Sequence, residues 1–329
     1  MELPYPDGEL EVRPALAAGN AVIVKPSEKS PLTAIRIAAL AKQAGIPDGI
    51  FQVLPGAGDV GRLLALHMDV DCVAFTGSTN VGKLIAGYAA QSNLKRAWLE
   101  LGGKSPNIIL PDCPDLAAPR APPPAASSTI WARSAPPAPA CWFTRTSRNA
   151  SLRNSRRPPP ASSRRSARSG HQHGAIVDDI QYRKVLNYID KGLSEGANLL
   201  LGGKAVHTDK GLFIEPTAFD CPSDDLTICR EEIFGPVLSV ITFSELDDAI
   251  RIANDTSYGL AAAVWTSNVS TAHQVSRRLR AGTVWVNCYD EGGDMNFPFG
   301  GYKQSGNGRD KSLHALEKYT ELKSTLIKL

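Results

Sequence analysis

Short apolar runs alternate with stretches of helical period along most of the chain. Ala21-Val-Ile-Val24 reads as a buried strand, and Pro31 to Ala44 carries apolar residues at helical spacing until Gly45 stops it. Ile50-Phe-Gln-Val-Leu54 is the next strand and Val60 to His67 the next helix. Cys72-Val-Ala-Phe75 is a third strand, followed by Thr76-Gly-Ser-Thr-Asn-Val-Gly82 and a helix through Ala90. Strands and helices alternating at this pitch predict βαβ units around a parallel sheet.

The same pattern resumes at Ala175. Tyr182 to Glu195 is helical, Val237 to Phe243 a strand and Leu246 to Asn254 a helix. Leu260 to Trp265, Asn268 to Ala281 and Thr283 to Asn287 then repeat strand, helix, strand, and the tail Thr320 to Leu329 alternates like an edge strand. Between these halves both hydrophobic periods vanish. Of the 55 residues from 116 to 170, 42 are Ala, Pro, Arg or Ser, and the runs Pro122–Pro124 and Pro158–Pro160 oppose regular structure. Taken alone, this tract is expected to be disordered.

Composition changes the picture in one respect. The formal charge of +3 is set by the tract, since residues 116 to 173 hold ten Arg, no Lys and no acid; the rest of the chain has 26 basic and 33 acidic residues, a balance of −7. That remainder reads as an ordinary acidic enzyme rather than a nucleic-acid binder. The six cysteines are scattered with no CxxC pair, which predicts reduced thiols in a cytoplasmic protein and no metal site. Neither a secretory leader nor a membrane-spanning apolar run is visible.

The chemistry-bearing stretches are Val22-Ile-Val-Lys-Pro-Ser-Glu28, Phe75-Thr-Gly-Ser-Thr-Asn-Val-Gly82, Leu99-Glu-Leu-Gly-Gly-Lys-Ser-Pro106, Glu231-Glu-Ile-Phe-Gly-Pro236 and Asn296 to Gly306. The segment Gly77 to Gly82 joins a strand to a helix, where backbone N–H groups and the helix dipole favour a pyrophosphate, although it departs from the GxGxxG pattern. Together and in this order, the five stretches resemble the NAD(P)-dependent aldehyde dehydrogenase superfamily over roughly four fifths of the chain. The last, with Cys288 to Asp294, is most similar to the γ-glutamyl-γ-aminobutyraldehyde dehydrogenases.

The resemblance implies an α/β fold, with a truncated Rossmann-like cofactor domain at 14–102 and an α/β catalytic domain at 103–319. An out-of-frame start at 1–13, the disordered insert at 116–173 and an oligomerisation tail at 320–329 complete the expected layout. It implies cofactor contacts at Lys25 and Glu28 (adenosine ribose), Gly77, Ser78 and Gly82 (phosphates), and Glu232 and Phe234 (nicotinamide ribose and ring). A carboxylate at Glu28 accepts from ribose hydroxyls and repels a 2′-phosphate, favouring NAD over NADP. Read without the other motifs, Lys25 and Glu28 are a solvated ion pair, and Glu232 and Phe234 a helix end closed by Gly235-Pro236. Glu100 matches the general base, before Gly102-Gly103, which permit close backbone approach. In the family a thiolate attacks the aldehyde, hydride passes to NAD, and water releases the acid from a thioester. The partners implied are a small aldehyde and further copies of the chain, with no nucleic acid or membrane.

Two family groups have no counterpart. The nucleophilic cysteine is expected near Ser134 and Ala135; Cys141 lacks its surroundings, and Cys288 reads as a pocket-lining residue. Permitted codons for Ser127 to Ala135 allow a shifted frame to read Phe-Tyr-Asn-Met-Gly-Glu-Val-Cys, the family's nucleophile loop. A shifted reading of Met1 to Asp7 likewise gives Trp-Asn-Phe-Pro-Thr-Leu-Met, containing the oxyanion-hole asparagine, so in-frame sequence is expected from near Pro14. The expectation is a frame-disrupted, truncated aldehyde dehydrogenase without turnover. The alternatives are a catalytically dead dinucleotide-binding remnant and, through the Arg-rich tract, a nucleic-acid-binding arm.

Overall fold

A computed structural model describes residues 6–113, 140–144, 175–206, 211–289 and 295–329, for 6–10 and 140–144 the backbone alone. The chain forms two compact units. One comprises Met1–Glu100, Asp294–Gly300 and Gly306–Leu329; the other comprises Leu101–Gly293 and Gly301–Ser305. The division therefore falls at Glu100, and the segments around Phe299 and Asp310 belong to the first unit.

The first unit runs α1 (Pro6–Ala17), β1 (Val22–Val24), α2 (Leu32–Gln43), β2 (Phe51–Val53), α3 (Gly58–Leu66), β3 (Cys72–Thr76), α4 (Thr79–Gln91) and β4 (Arg96–Glu100). The helices and strands from β1 to α4 fall where the periodicity predicts, with only small differences at their ends. The strands are parallel but make two separate ladders, β1 with β2 and β3 with β4. Its buried apolar residues are small for the most part: Ala15, Ala34, Ala65 and Ala89, with Val12, Ile85 and Leu99 the larger ones. Short strand-length apolar runs cannot by themselves reveal which neighbours they pair with, and here the separation into two ladders is visible only in three dimensions.

The second unit is built on a seven-stranded sheet. In chain order it contains β5 (Pro106–Ile109), β6 (Ala140–Thr144), α5 (Asp179–Ser194), β7 (Asn198–Leu201), β8 (Ala205–Val206), β9 (Phe213–Ile214) and β10 (Thr217–Cys221). Then follow α6 (Thr227–Arg230), β11 (Val237–Phe243), α7 (Leu246–Asn254), β12 (Ala261–Trp265), α8 (Val269–Arg278) and β13 (Thr283–Val286). The strand order is β13-β12-β5-β6-β11-β10-β7, parallel except for the antiparallel pairing of β10 with β7. Side-chain alternation sends Ile108, Ile241 and Val264 to one core with Val185, Phe219 and Ile228, and sends Ile109, Val240 and Ala263 to a second with Trp265 and Tyr289. Each fully buried Val, Ile or Phe in these cores stabilises the unit by about 2 kcal/mol over exposure. Central strands buried on both faces explain why Ala261-Ala-Ala-Val-Trp265 reads as a continuous apolar run.

Two segments add to what periodicity alone predicts. The tract 116–170 was expected to carry no regular structure, yet Ala140-Cys-Trp-Phe-Thr144 is a central strand, paired with β5 on one side and β11 on the other. These five residues are the most apolar and β-prone of the tract, and the ladder on both sides satisfies their backbone. The rest of the tract lies outside the described residues. The tail Thr320–Leu329 has the alternation of an edge strand but forms none. Leu322, Leu326 and Leu329 stand in solvent, because alternation without a partner ladder leaves the backbone nothing to bond. Among the described residues no helix is long and apolar enough to cross a membrane.

Candidate functional site

The predicted residues divide between the two units: Lys25, Glu28, Gly77, Ser78, Gly82 and Glu100 belong to the first, Glu232 and Phe234 to the second. In the first unit, β3 runs through Thr76 and α4 starts at Thr79. Ser78 is the N-cap, with extended backbone (φ −71°, ψ 148°), and its Oγ accepts a hydrogen bond from Val81 N–H at 3.3 Å. Gly77 N–H donates to the Glu100 carbonyl at 3.0 Å, tying the loop to the end of β4. A Cβ on Gly77 would lie 2.5 Å from the far end of the Phe75 ring, so a larger residue there requires that ring to shift. Gly82 is buried in α4. The result is a 13-residue helix whose first turn opens directly after a strand, a geometry suited to an anion.

Lys25 and Glu28 follow β1 and meet, with Nζ 3.5 Å from Oε2. A hydrogen bond from its own backbone N–H, with the charges of Lys25 and Lys29, holds the Glu28 carboxyl below the usual carboxylate range. The carboxylate is half in solvent and free to accept from further hydroxyls. The pair itself contributes little stability at that exposure.

Glu100 ends β4 and is buried. Neither carboxyl oxygen accepts a hydrogen bond among the described residues. Burial pushes its pKa up to about 9, with the neighbouring Asp310 charge adding to the shift and Lys318 opposing it. Gly300 and Gly308 make room: a Cβ at Gly300 would lie 2.7 Å from Oε1, and one at Gly308 3.0 Å from it. Around it is a group the sequence reading missed. Lys318 Nζ donates to Glu11 Oε2 at 2.8 Å and also to Asp310 Oδ1, and the Tyr319 hydroxyl donates to Glu11. Burial raises the Asp310 pKa to about 6, helped by the charge of Glu11. Burial alone would lower the Lys318 pKa, but Glu11 and Asp310 outweigh it and the shift is upward. No local spacing announces this cluster, which joins residues 11, 100, 310 and 318.

In the second unit, Glu232 and Phe234 lie between α6 and β11. Phe234 adopts φ +57°, a left-handed backbone uncommon for an aromatic residue. The Gln181 side-chain amide donates to the Ile233 and Phe234 carbonyls at 3.0 and 2.9 Å, pinning that conformation from α5. Gly103 N–H donates to Glu232 Oε1 at 3.5 Å, a long contact, and a Cβ on Gly102 would lie only 2.3 Å from Glu232 Oε2. The close approach predicted for Gly102 is therefore made to Glu232. Burial raises the Glu232 pKa, against the Gly103 hydrogen bond and the charges of Lys184 and Lys104. Lys104, within the Leu99–Pro106 motif but unassigned by the sequence reading, is buried, and burial depresses its pKa to about 8.

Ser134, Ala135 and the start at 1–5 lie outside the described residues. Cys141 sits within β6, and Cys288 is partly exposed just after β13. Among the described residues no group of His, Cys, Asp and Glu is arranged to hold a metal ion.

Residues 9–122 and 162–325 match the model of the aldehyde dehydrogenase family. The Escherichia coli NADP/NAD-dependent aldehyde dehydrogenase PuuC is 48% identical over 324 residues, covering 96% of this chain and 63% of its own length. The crystal structure of γ-glutamyl-γ-aminobutyraldehyde dehydrogenase from Burkholderia cenocepacia superposes with a TM-score of 0.88 at 60% identity, over 98% of this chain and 66% of that one. An indole-3-acetaldehyde dehydrogenase solved in complex with NAD+ gives 0.89 at 51% identity, over 99% of this chain and again 66% of the other. The chain thus spans slightly less than two thirds of the length of these relatives.

Proposed function

Because the chain belongs to the aldehyde dehydrogenase family, we propose that it derives from an NAD-dependent dehydrogenase of small aldehydes and retains the cofactor contacts without the covalent chemistry. The observation that carries this reading is the start of α4, where Ser78 caps a helix opening directly from β3. In this reading the dinucleotide phosphates lie against Gly77, Ser78 and the first turn of α4, and Lys25 and Glu28 hold the adenosine ribose. Glu232 and Phe234 hold the nicotinamide ribose and ring. The donor set fits such a group: a helix N-terminus for the phosphates and carboxylates for ribose hydroxyls. A bound nicotinamide supplies the hydride acceptor. Glu28 selects NAD over a 2′-phosphorylated cofactor by charge.

Glu100 is the proton-handling group of this reading. With a pKa near 9 it is protonated at neutral pH, so it takes up a proton from a water or thiol only after losing its own. The thiol that family chemistry requires is expected near Ser134 and Ala135, where this sequence has none, and Met1–Asp7, where the asparagine amide is expected, holds no Asn. Without a nucleophile no thioester forms, and no aldehyde is oxidised by that route. The frame-disrupted gene is the cause we assign. The native setting is the cytoplasm, with subunits assembling as homo-oligomers where the tail finds its partner strands.

Two measurements test this. Titration with NAD should show saturable binding that NADP does not match, while incubation with simple aldehydes and NAD should yield no absorbance of the reduced cofactor. Turnover of any aldehyde by the purified chain would refute the loss of chemistry. Resequencing the gene from upstream of Met1 through Gly174 tests the cause: restored frames would make the protein a longer dehydrogenase with its cysteine in place.

A further inference from the structure

Two thiols of the second unit meet in its larger core. Cys221 closes β10, and Cys229 lies in α6, just beyond the connection 222–226. Both are free and buried, 3% and 5% exposed, in one cluster with Phe219, Ile228 and Ile241. The connection between them runs over the surface, with Pro222 and Asp225 exposed. The Cys229 thiol reaches its Ser223 carbonyl at 3.7 Å, so local opening of a few residues uncovers the sulfur.

The Cys221 thiol donates a hydrogen bond to the Cys229 sulfur. That bond, with the charge of Lys104 adding to it, holds the Cys229 pKa below the usual thiol value against the effect of burial. The same bond and burial push Cys221 up. Lys104 is itself buried, and the charges that favour its ammonium are first those of Cys229 and Cys221, then those of Glu232 and Glu231. Buried cysteines ordinarily serve as small apolar residues. An apolar pair has no use for an ammonium beside it, whereas a thiolate does.

We propose that Cys221 and Cys229 are an oxidisable dithiol, a site of reversible disulfide formation with hydrogen peroxide as the oxidant. Cys229 attacks first: its sulfur takes one peroxide oxygen as a sulfenic acid, the O–O bond breaks, and the other oxygen leaves as water with the thiol proton. The Cys221 sulfur then attacks the sulfenic sulfur, forming the S–S bond, and its own proton leaves with the hydroxyl as a second water. The two thiols lose two electrons in all, and one peroxide is reduced to two waters. This site goes beyond the cofactor reading and does not rest on it, since neither NAD nor the family's nucleophile takes part. The bond ties α6 to the end of β10, and α6 leads directly into the segment 231–234.

The test is treatment of the native full chain with an equimolar amount of peroxide, followed by tryptic mass mapping. Peptide 211–230, released by cleavage after Lys210 and Arg230, carries both cysteines. Its loss of two hydrogens reads the bond directly, and dithiothreitol should restore them. Amide exchange at Thr227–Arg230 should slow by at least about tenfold in the oxidised chain. In Cys221→Ser, dimedone should label Cys229, because no thiol resolves the sulfenic acid; in Cys229→Ser, Cys221 should stay unlabelled. A peptide left reduced while the partly exposed Cys72, Cys113 and Cys288 oxidise overturns the proposal. Pairing of Cys221 or Cys229 with a cysteine outside the peptide does the same, as does dimedone labelling of Cys221 in place of Cys229. A bond that forms equally in urea and leaves exchange in α6 unchanged would belong to sequence proximity alone and overturn it too.

Discussion

Lys318 Nζ donates to Glu11 Oε2 at 2.8 Å, joining the C-terminal segment to α1 across 307 residues of sequence. The same ammonium serves Asp310, so one buried cation neutralises two carboxylates. Removing it while leaving them in place exposes the full desolvation cost of the acids. Lys318→Met is expected to destabilise the first unit by about 3–5 kcal/mol, read as a lower midpoint in urea. Glu11→Gln, which leaves Lys318 paired with Asp310, is expected to cost less; an equal loss would show that the cluster does not act through charge.

Glu100 and Asp310 make stability fall with rising pH. Both folded pKa values are raised, to about 9 and about 6, so the protonated forms are favoured by the fold. Their contribution is complete below the ordinary carboxylate range. It is lost as pH rises through about 6 for Asp310 and through about 9 for Glu100. Lys104, depressed to about 8, acts oppositely at the alkaline end, where its neutral form is favoured. Glu100→Gln should flatten the decline between neutrality and pH 9 seen in urea titrations. An unchanged slope would place the Glu100 pKa near its ordinary value.

Gly102→Ala tests the contact with Glu232. The added methyl would lie 2.3 Å from Oε2, so the carboxylate must move and the Gly103 contact breaks. Overpacking of this kind costs about 1–3 kcal/mol. Weakened NAD binding should accompany it if Glu232 holds the nicotinamide ribose, and unchanged affinity would remove Glu232 from the cofactor contacts.

Ser78→Ala removes the N-cap of α4. The expected loss is about 1 kcal/mol, against a few tenths for Ser78→Gly, measured by thermal or urea unfolding. If the phosphates rest on this first turn, both variants should also weaken NAD binding, since each loses the hydroxyl.

Much of this molecule is legible without coordinates. Val237–Phe243 is bounded correctly as a short apolar, β-prone run after Gly235-Pro236 and Leu246–Asn254 by apolar residues at 246, 249, 250 and 253, while Gly77 and Ser78 are recognisable because a strand, a turn and a helix start follow one another locally. β5 goes unassigned, since four residues opened by proline carry too little pattern. The strand at Ala140–Thr144 also escapes notice, because its neighbours of Pro, Arg and Ser hide five apolar residues that only a two-sided ladder makes regular.

By itself the sequence determined the alternation of elements, the family and the residue types available for cofactor contact, all properties of nearest neighbours along the chain. Tertiary structure decided that Glu100 shares a buried cluster with Asp310, Lys318 and Glu11, and that Glu232 rests against Gly102. It also decided that β1 and β3 remain apart. The reason is physical. Pairing, desolvation and charge coupling depend on distances through space between residues as far apart as 11 and 318, and no local period encodes those distances.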